Sequence, residues 1–231
     1  MFNERPSQAV ENFIKAVYVL QSEHTHNASK EDMRVSTNAL KTALEISAPS
    51  VTDMAQRLVE NGLVDYRKYR GVRLTDKGEA LALNLIRRHR LIELYLVREL
   101  GYELHEVHDE AEELEHAVSD RFIEAINTKL GAPEFDPHGD PIPDVDGTFT
   151  RRELQPLSEL PITTRGHVSR FISTDSEMLQ HTLDRGFLLD KPIEVLARDP
   201  FNGPITVQLG EQQTTIGYMV AETILVEVKK T

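Results

Sequence analysis

The sequence predicts a mainly α-helical protein with a small β part: a helical N-terminal third ending in a β-hairpin, a charged helical middle, and a small C-terminal all-β barrel. Three observations carry this. Apolar residues recur at helical spacing in the first third and in two long charged segments. A basic, Gly-containing turn separates two short strand-like runs between residues 63 and 75. After residue 150, short strand-like runs alternate with turn residues.

A chain of 231 residues has room for two or three modest domains. No apolar run approaches the roughly 20 residues of a membrane span. The start, MFNERPSQAVENF, has no apolar signal core, so a cytoplasmic location and no membrane partner are expected. Cys is absent, which excludes disulfides, thiolate metal sites and Cys nucleophiles. Any metal must be held by His, Asp, Glu or Asn. The net charge of −12 is unevenly spread. Residues 1–78 carry 11 basic and 10 acidic side chains, a net of +1, and the remainder carries −13. A near-neutral segment with a local basic cluster suits phosphate, and an acidic remainder suits cations.

In order along the chain, residues 7–24 place Val10, Phe13, Ile14, Val17 and Leu20 on one helical face. The polar stretch His24–Asp32 reads as a loop. Thr37–Ala43 reads as a short helix, and EISAPS breaks it. Ser47 caps the next helix, with Pro49 tolerated in its first turn. Val51, Met54, Ala55 and Leu58 share its inner face, and Gly62 is the C-cap candidate. LVDYRKYRGVRLT follows as two short strands around the basic turn. Thr75 or Asp76 caps a long amphipathic helix through Leu100, and LHEVHDEAEELEHAVSDRFIEAINTKL reads as a second long helix. Residues 131–150, rich in Pro, Gly and Asp, read as a linker or irregular connection. HVSRFI, IEVLA, ITVQL, TTIGYMV and ILVEV then read as the strands of a small barrel.

Two short helices, a tight turn and a basic hairpin are the order of a winged helix-turn-helix. The second helix enters the major groove with its N-terminal residues at the base edges, here Ser47, Pro49, Ser50, Thr52 and Asp53. Arg57, Arg67, Lys68, Arg70 and Arg73 are placed for phosphates, which give affinity but little sequence information. Thr37 and Asn38, at the start of the preceding helix, complete the candidate DNA-contacting set. The plainer alternative is a packed helical corner with a solvated turn. The concentration of basic residues there, in a chain acidic overall, favours DNA.

The sharpest feature is HDEAEELEH at 108–116. At 100° per residue His108, Glu112, Glu115 and His116 share a face. Converging carboxylates repel one another, and a divalent cation relieves that repulsion. The donors are nitrogen and oxygen only, which suits Mn, Fe or Zn. His89 and Glu93 form a second i, i+4 pair on the preceding helix. The alternative is a solvated charged face, weakened by that second pair. Val107, Ala111, Leu114 and Val118 make a helical stripe suited equally to a dimer seam or to intrachain core.

Together these segments resemble the diphtheria-toxin-repressor and manganese-transport-regulator (DtxR/MntR) family of metal-activated repressors. The resemblance is carried by ENFIKAVYVL at 11–20, APSVTDMAQRLVENGLVDY at 48–66, KYRGVRLTDKG at 68–78, RRHRLIELYLVRELG at 87–101, VHDEAEELEHAVSD at 107–120 and PHGDPIP at 137–143. The β-rich tail resembles the SH3-like (FeoA-like) domain of the longer members. The family implies a DNA-binding domain at 1–78, a metal-binding and dimerisation domain at 79–148 and an SH3-like domain at 149–231. It implies a primary metal site of Asn12, Glu112, Glu115 and His116, with Glu11 an adjacent candidate for the first helix. It implies an ancillary site of His89, Glu93, His108, His138 and Asp175, with Asp136 the alternative to Asp175. Family members place Met or Asp at the position of Asn12. Glu112 stands where iron-type members carry Cys, which points to Mn(II) as effector with Fe(II) the competitor and other divalent metals as substitutes in vitro.

The expected function is therefore a homodimeric, metal-dependent repressor. It binds palindromic double-stranded operator DNA and controls metal-homeostasis genes such as transporters. A carboxylate-bridged di-metal enzyme is the first competitor, but an enzyme has no use for a basic wing. A winged-helix regulator of an organic ligand is the second, and it leaves the His/Glu face unexplained.

Overall fold

A computed structural model describes residues 6–23, 34–173 and 175–229. The expected loop at His24–Asp32 lies outside the described residues. The chain divides into two compact units, Met1–Arg88 with Pro143–Thr148 and His89–Ile142 with Phe149–Thr231. Among the described residues no helix is long and apolar enough to cross a membrane.

The first unit begins with α1 (Gln8–Glu23), α2 (Thr37–Leu44) and α3 (Ala48–Glu60), followed by strands β1 (Val64–Arg67) and β2 (Gly71–Leu74). Phe13, Ile14 and Val17 of α1 share a core with Leu40 of α2, Val51, Ala55 and Leu58 of α3, and Val64 and Val72 of the strands. Burying each large apolar side chain contributes roughly 1.5–3 kcal/mol, so this core sets the crossing of α2 and α3. The turn between those helices is short because both ends are capped. Glu45 adopts a left-handed φ of 54° at the end of α2. Ser47 accepts the Ser50 N–H at 3.2 Å at the start of α3. Gly62, with φ 68°, ends α3 as expected.

β1 and β2 pair antiparallel from Val64↔Leu74 to Arg67↔Gly71. Val35 adds a bridge to Val72, with N–O distances of 2.8 and 2.9 Å in the two directions. Thr75, rather than Asp76, caps α4 (Asp76–Tyr95) by accepting the Gly78 N–H at 3.1 Å.

In the second unit the chain leaves α4 through a π-helical turn at Leu96–Leu100, closed by Gly101 at φ 77°. The segment read as one further helix is two, α5 (Val107–Ala117) and α6 (Asp120–Lys129). Val118 is extended, and Ser119 accepts the Phe122 N–H at 3.3 Å. The Ser-Asp cap signal at 119–120 thus overrides the continuous apolar spacing. Val107 and Ala111 are buried with Leu91, Ile92, Leu94, Ile123, Ile126 and Ile142, and Leu114 and Val118 pack against the same cluster. The stripe on α5 therefore serves intrachain core.

The C-terminal part is a six-stranded antiparallel sheet in the order β3-β8-β4-β5-β6-β7. Its strands are β3 (Leu154–Pro156), β4 (Arg165–Phe171), β5 (Pro192–Arg198), β6 (Ile205–Leu209), β7 (Gln212–Ile216) and β8 (Ile224–Val228). Register shifts at Val168/Arg170 and Val195/Ala197 mark bulges that curve it. One side buries Val168, Phe171, Val195, Val207 and Val226 with Phe187 and with Leu179 of α7 (Ser176–Asp184). The expected strand TTIGYMV ends at Ile216. Gly217 leads instead into α8 (Tyr218–Glu222), whose Ala221 is buried in that core.

Candidate metal centre and nucleic-acid interface

Successive α4 turns present His89 and Glu93 on one face, and α5 presents His108 to them. The atoms His89 Nε2, Glu93 Oε1 and His108 Nδ1 form a triangle with edges of 3.0, 3.1 and 3.2 Å. The His89 and His108 rings meet edge to face at 4.8 Å. His89 Nδ1 lies 2.7 Å from Glu115 Oε2, a fully buried carboxylate. A carboxylate only accepts, so His89 Nδ1 carries the proton, and a neutral ring then offers a lone pair at Nε2. That lone pair faces Glu93 Oε1, another acceptor. Such an arrangement requires a further proton or a cation at its centre.

The structure adds a second triad around the same carboxylate: Glu93, Asp136 and His138 bring ligand-type atoms within 4.8 Å of one another, as do His89, Glu93 and His108. His138 Nδ1 is 3.6 Å from Glu93 Oε2, and His138 Nε2 is 3.1 Å from the Leu104 carbonyl. Burial opposes the charge on Glu93, but the imidazoles of His89, His108 and His138 outweigh it and hold its carboxyl well below the usual carboxylate range. Burial also opposes charge on His138, yet Glu93, Asp136 and the Leu104 carbonyl raise its pKa. Burial, with Asp140 and Glu93 nearby, pushes Asp136 up to about 7 against the pull of Arg90 and His138. One cluster thus holds a carboxylate kept ionised and another, Asp136, whose ionisation is opposed.

Asp175 stands apart from both triads. Its exposed carboxylate caps α7 by accepting the Met178 N–H at 3.0 Å. Asp136 occupies the position beside Glu93 and His138. The remaining residues on α5 are graded in burial: Glu115 is fully buried, His116 is nearly so, and Glu112 is half exposed. His116 Nε2 is 3.4 Å from Glu115 Oε1, while Glu112 leans toward His108 at 3.7 Å. On α1, Asn12 Oδ1 is buried with no hydrogen-bond partner, an orphaned acceptor of the kind a cation satisfies. Its neighbour Glu11 is buried too.

These donor sets fit a divalent metal. Bonds of about 2.0–2.2 Å place adjacent ligand atoms about 2.8–3.1 Å apart at right angles and about 3.3–3.6 Å apart in a tetrahedron. The observed edges of 3.0–3.2 Å lie nearer the right-angle values.

The reading head lies in the other unit. Asn38, Ser47, Pro49, Ser50, Asp53, Arg57, Lys68 and Arg70 are exposed, and Thr37 and Thr52 are half-buried. Ser47 Oγ and Ser50 Oγ are 2.8 Å apart, and Thr52 Oγ1 donates to the Ala48 carbonyl at 3.1 Å. Arg73, expected at a phosphate, instead donates to Asp65 Oδ2 at 3.1 Å; Arg67 lies 3.9 Å from the same oxygen. Arg34, which the sequence reading missed, also pairs with Asp65 and donates to its carbonyl at 2.8 Å. These cations hold the Asp65 carboxyl below its ordinary pKa, with the Arg34 hydrogen bond the largest cause. A fixed hairpin with Lys68 and Arg70 exposed at its tip is the result.

The N-terminal DNA-binding domain of the iron-dependent repressors matches residues 7–72, their metal-binding and dimerisation domain matches 75–144, and the FeoA domain matches 155–228. The transcriptional regulator MntR of Lysinibacillus sphaericus is 36% identical over 132 residues, covering 57% of this chain and 88% of that protein. This chain belongs to the DtxR/MntR family of metal-dependent transcriptional repressors. The iron-dependent repressor IdeR of Mycobacterium leprae is 28% identical over 197 residues, 80% of this chain and 85% of that protein. A solved manganese-dependent repressor in complex with manganese superposes with a TM-score of 0.83 at 38% identity, covering 95% of this chain and all of the other. The cadmium-bound repressor ScaR gives 0.75 at 31% identity, with 96% and 99% covered. As a DtxR/MntR repressor the protein is a DNA-binding regulator and not an enzyme, which sets aside the di-metal oxidase reading. The family has manganese-dependent and iron-dependent members.

Proposed function

We propose that this repressor responds to Mn(II), with Fe(II) the competing effector, and that it controls metal-homeostasis genes such as transporters from palindromic operators. The carrying observation is the triangle of His89 Nε2, Glu93 Oε1 and His108 Nδ1, built from oxygen and nitrogen alone with near right-angle spacing. Hard and borderline octahedral cations suit such a set better than thiophilic ones. His89, Glu93, His108, His138 and Asp136 would hold one ion. Asn12, Glu112, Glu115 and His116 would hold the other. When bound, the cation supplies the positive charge and directional bonds that satisfy these carboxylates together.

On this reading the chain works in three segments, 1–78, 79–148 and 149–231. A bound ion would tie Asn12 on α1 to the Glu112–His116 face of α5. That biases the population toward one placement of the two reading heads of the dimer. Glu115 is common to both sets of contacts, since it accepts from His89 and neighbours His116. The test is DNA binding by the full chain across a series of Mn(II), Fe(II) and Zn(II) with a chelated control. Binding of one duplex with equal affinity in chelator and in saturating metal would sink the mechanism.

A further inference from the structure

The tip of the wing carries a feature that phosphate contacts do not use. Tyr69 sits between Lys68 and Arg70 with 93% of its surface exposed and a φ of 67°. The turn is closed by the Arg70 N–H donating to the Arg67 carbonyl at 2.9 Å, which puts Tyr69 at its third position. Gly or Asn normally fills that place when φ is positive, and a bulky residue there is strained. The ring recovers none of this by burial. Its one described ring contact is the Lys68 ammonium, 5.1 Å from its centroid.

The tip is nevertheless built to stay in place. Asp65 gathers Arg34, Arg67 and Arg73 at the base of the hairpin. Gly71, at φ 97°, lies so close to Val35 that a Cβ would sit 2.1 Å from the Val35 carbonyl oxygen. The Val35–Val72 bridge then anchors β2. An unburied aromatic ring on a strained, pre-organised hairpin, flanked by Arg67, Lys68 and Arg70, is a recognition element awaiting a partner.

We propose that Tyr69 is a minor-groove contact of this repressor and gives it a preference for A·T pairs flanking the bases read by α3. With α3 in the major groove, the hairpin tip of a winged helix meets the neighbouring minor groove. A·T-rich minor grooves are narrow and strongly negative, which favours a tip bearing Lys68 and Arg70. The floor of an A·T pair offers only acceptors, adenine N3 and thymine O2, to which a phenol O–H donates. A guanine in the same place projects its 2-amino group into the path of the ring. The inference rests on the DNA-binding activity of the family and not on the identity of the metal.

The experiment uses the full chain in saturating Mn(II). Its probe is the duplex that the protein itself selects from a random-core library. Flanking pairs are then set to A·T, to G·C, or to inosine·C, which has the G·C major-groove face without the 2-amino group. Wild type is expected to bind the A·T and inosine·C duplexes about equally and the G·C duplex about fivefold to tenfold more weakly. Tyr69→Ala should lose that factor on the first two duplexes only, with an unchanged salt slope. Tyr69→Phe keeps the ring that meets the guanine 2-amino group but loses the phenol O–H, so its discrimination should fall between those of wild type and Ala. Equal affinity of wild type for all three flanks overturns the proposal. So does a Tyr69→Ala loss of the same size on every flank, a Phe variant that behaves like Ala, or a Tyr69→Ala change confined to dimer dissociation. Failure of wild type to select any duplex would instead strike the DNA-binding reading itself.

Discussion

Glu93→Gln is the sharpest perturbation of the metal centre, because one buried carboxylate serves both triads. Its oxygens lie 3.0 Å from His89, 3.2 Å from His108 and 3.6 Å from His138, and the side chain is 3% exposed. At an effective dielectric of about 20, a unit charge about 3 Å away interacts by roughly 5–6 kcal/mol, and a divalent ion by about twice that. Desolvation of the carboxylate and the ion offsets several kcal/mol per charge. A net loss of about 3–4 kcal/mol follows, or about a hundredfold to a thousandfold in metal affinity. Gln keeps the volume and one carbonyl acceptor, so the core around α4 survives. Titration calorimetry with Mn(II) should show one binding event weakened by that factor and the other changed by less than about tenfold. In the metal-free variant, NMR should show the His138 pKa falling, since Glu93 helps to hold it up. Two unchanged binding events, or an unmoved His138, would refute the assignment of Glu93 as the shared ligand.

Three further outcomes are expected. Arg70→Ala should weaken binding to all duplexes alike and flatten the salt slope by about one unit, whereas Ser50→Ala should change which duplex is preferred; fluorescence anisotropy over a salt series separates the two. In chelator, Asp136 keeps its proton up to about 7 when folded but releases it near 3.8 when unfolded. Its stabilising contribution is therefore complete below 3.8 and is lost as pH rises through 7, so denaturation should show Asp136→Asn gaining on wild type across that window and levelling off above it. Glu112→Cys should shift the activating metal away from Mn(II) toward softer or more strongly binding ions, and an unchanged ranking of Mn(II), Fe(II) and Zn(II) in DNA binding would remove Glu112 as the source of selectivity.

Much of the architecture was legible because strong local signals agreed with tertiary demand. The inner faces of α1 and α3, the Ser47 cap, the Gly62 stop and the hairpin all combine a cap or turn residue with apolar spacing that ends in one core. Legibility failed where two local signals competed. The apolar spacing through Val118 argued for one helix, while Ser119-Asp120 argued for a new start, and the cap prevailed. In TTIGYMV the β-branched run ended at Gly217, and the remaining apolar residues turned helical to bury Ala221. Arg73 looked like a phosphate contact because a sequence does not show that Asp65, eight residues earlier, lies across the hairpin from it.

The metal centre divides along the same line. Pairs spaced i, i+4 on one helix are visible in a sequence, and His89/Glu93 and His108/Glu112 are of that kind. Asp136 and His138 come from a stretch whose Pro, Gly and Asp content reads as a linker, yet each of those residue types has a positional task. Asp136 Oδ1 accepts the N–H groups of His138 and Asp140, both at 2.8 Å, which folds the segment back on itself. Gly139 takes a φ of 88°, and a Cβ there would sit 2.1 Å from the Ser169 carbonyl oxygen. The Phe171 N–H donates to the His138 carbonyl at 2.9 Å, so β4 fixes the backbone that carries the imidazole. Arg152 spans the Gly139 and Ser169 carbonyls at 2.6 and 2.8 Å. The FeoA-type sheet is therefore a structural support for the centre even though its expected ligand, Asp175, is engaged as a helix cap. A change in β4 that loosens the Phe171–His138 hydrogen bond should reach Glu93 through His138 without touching any ligand side chain.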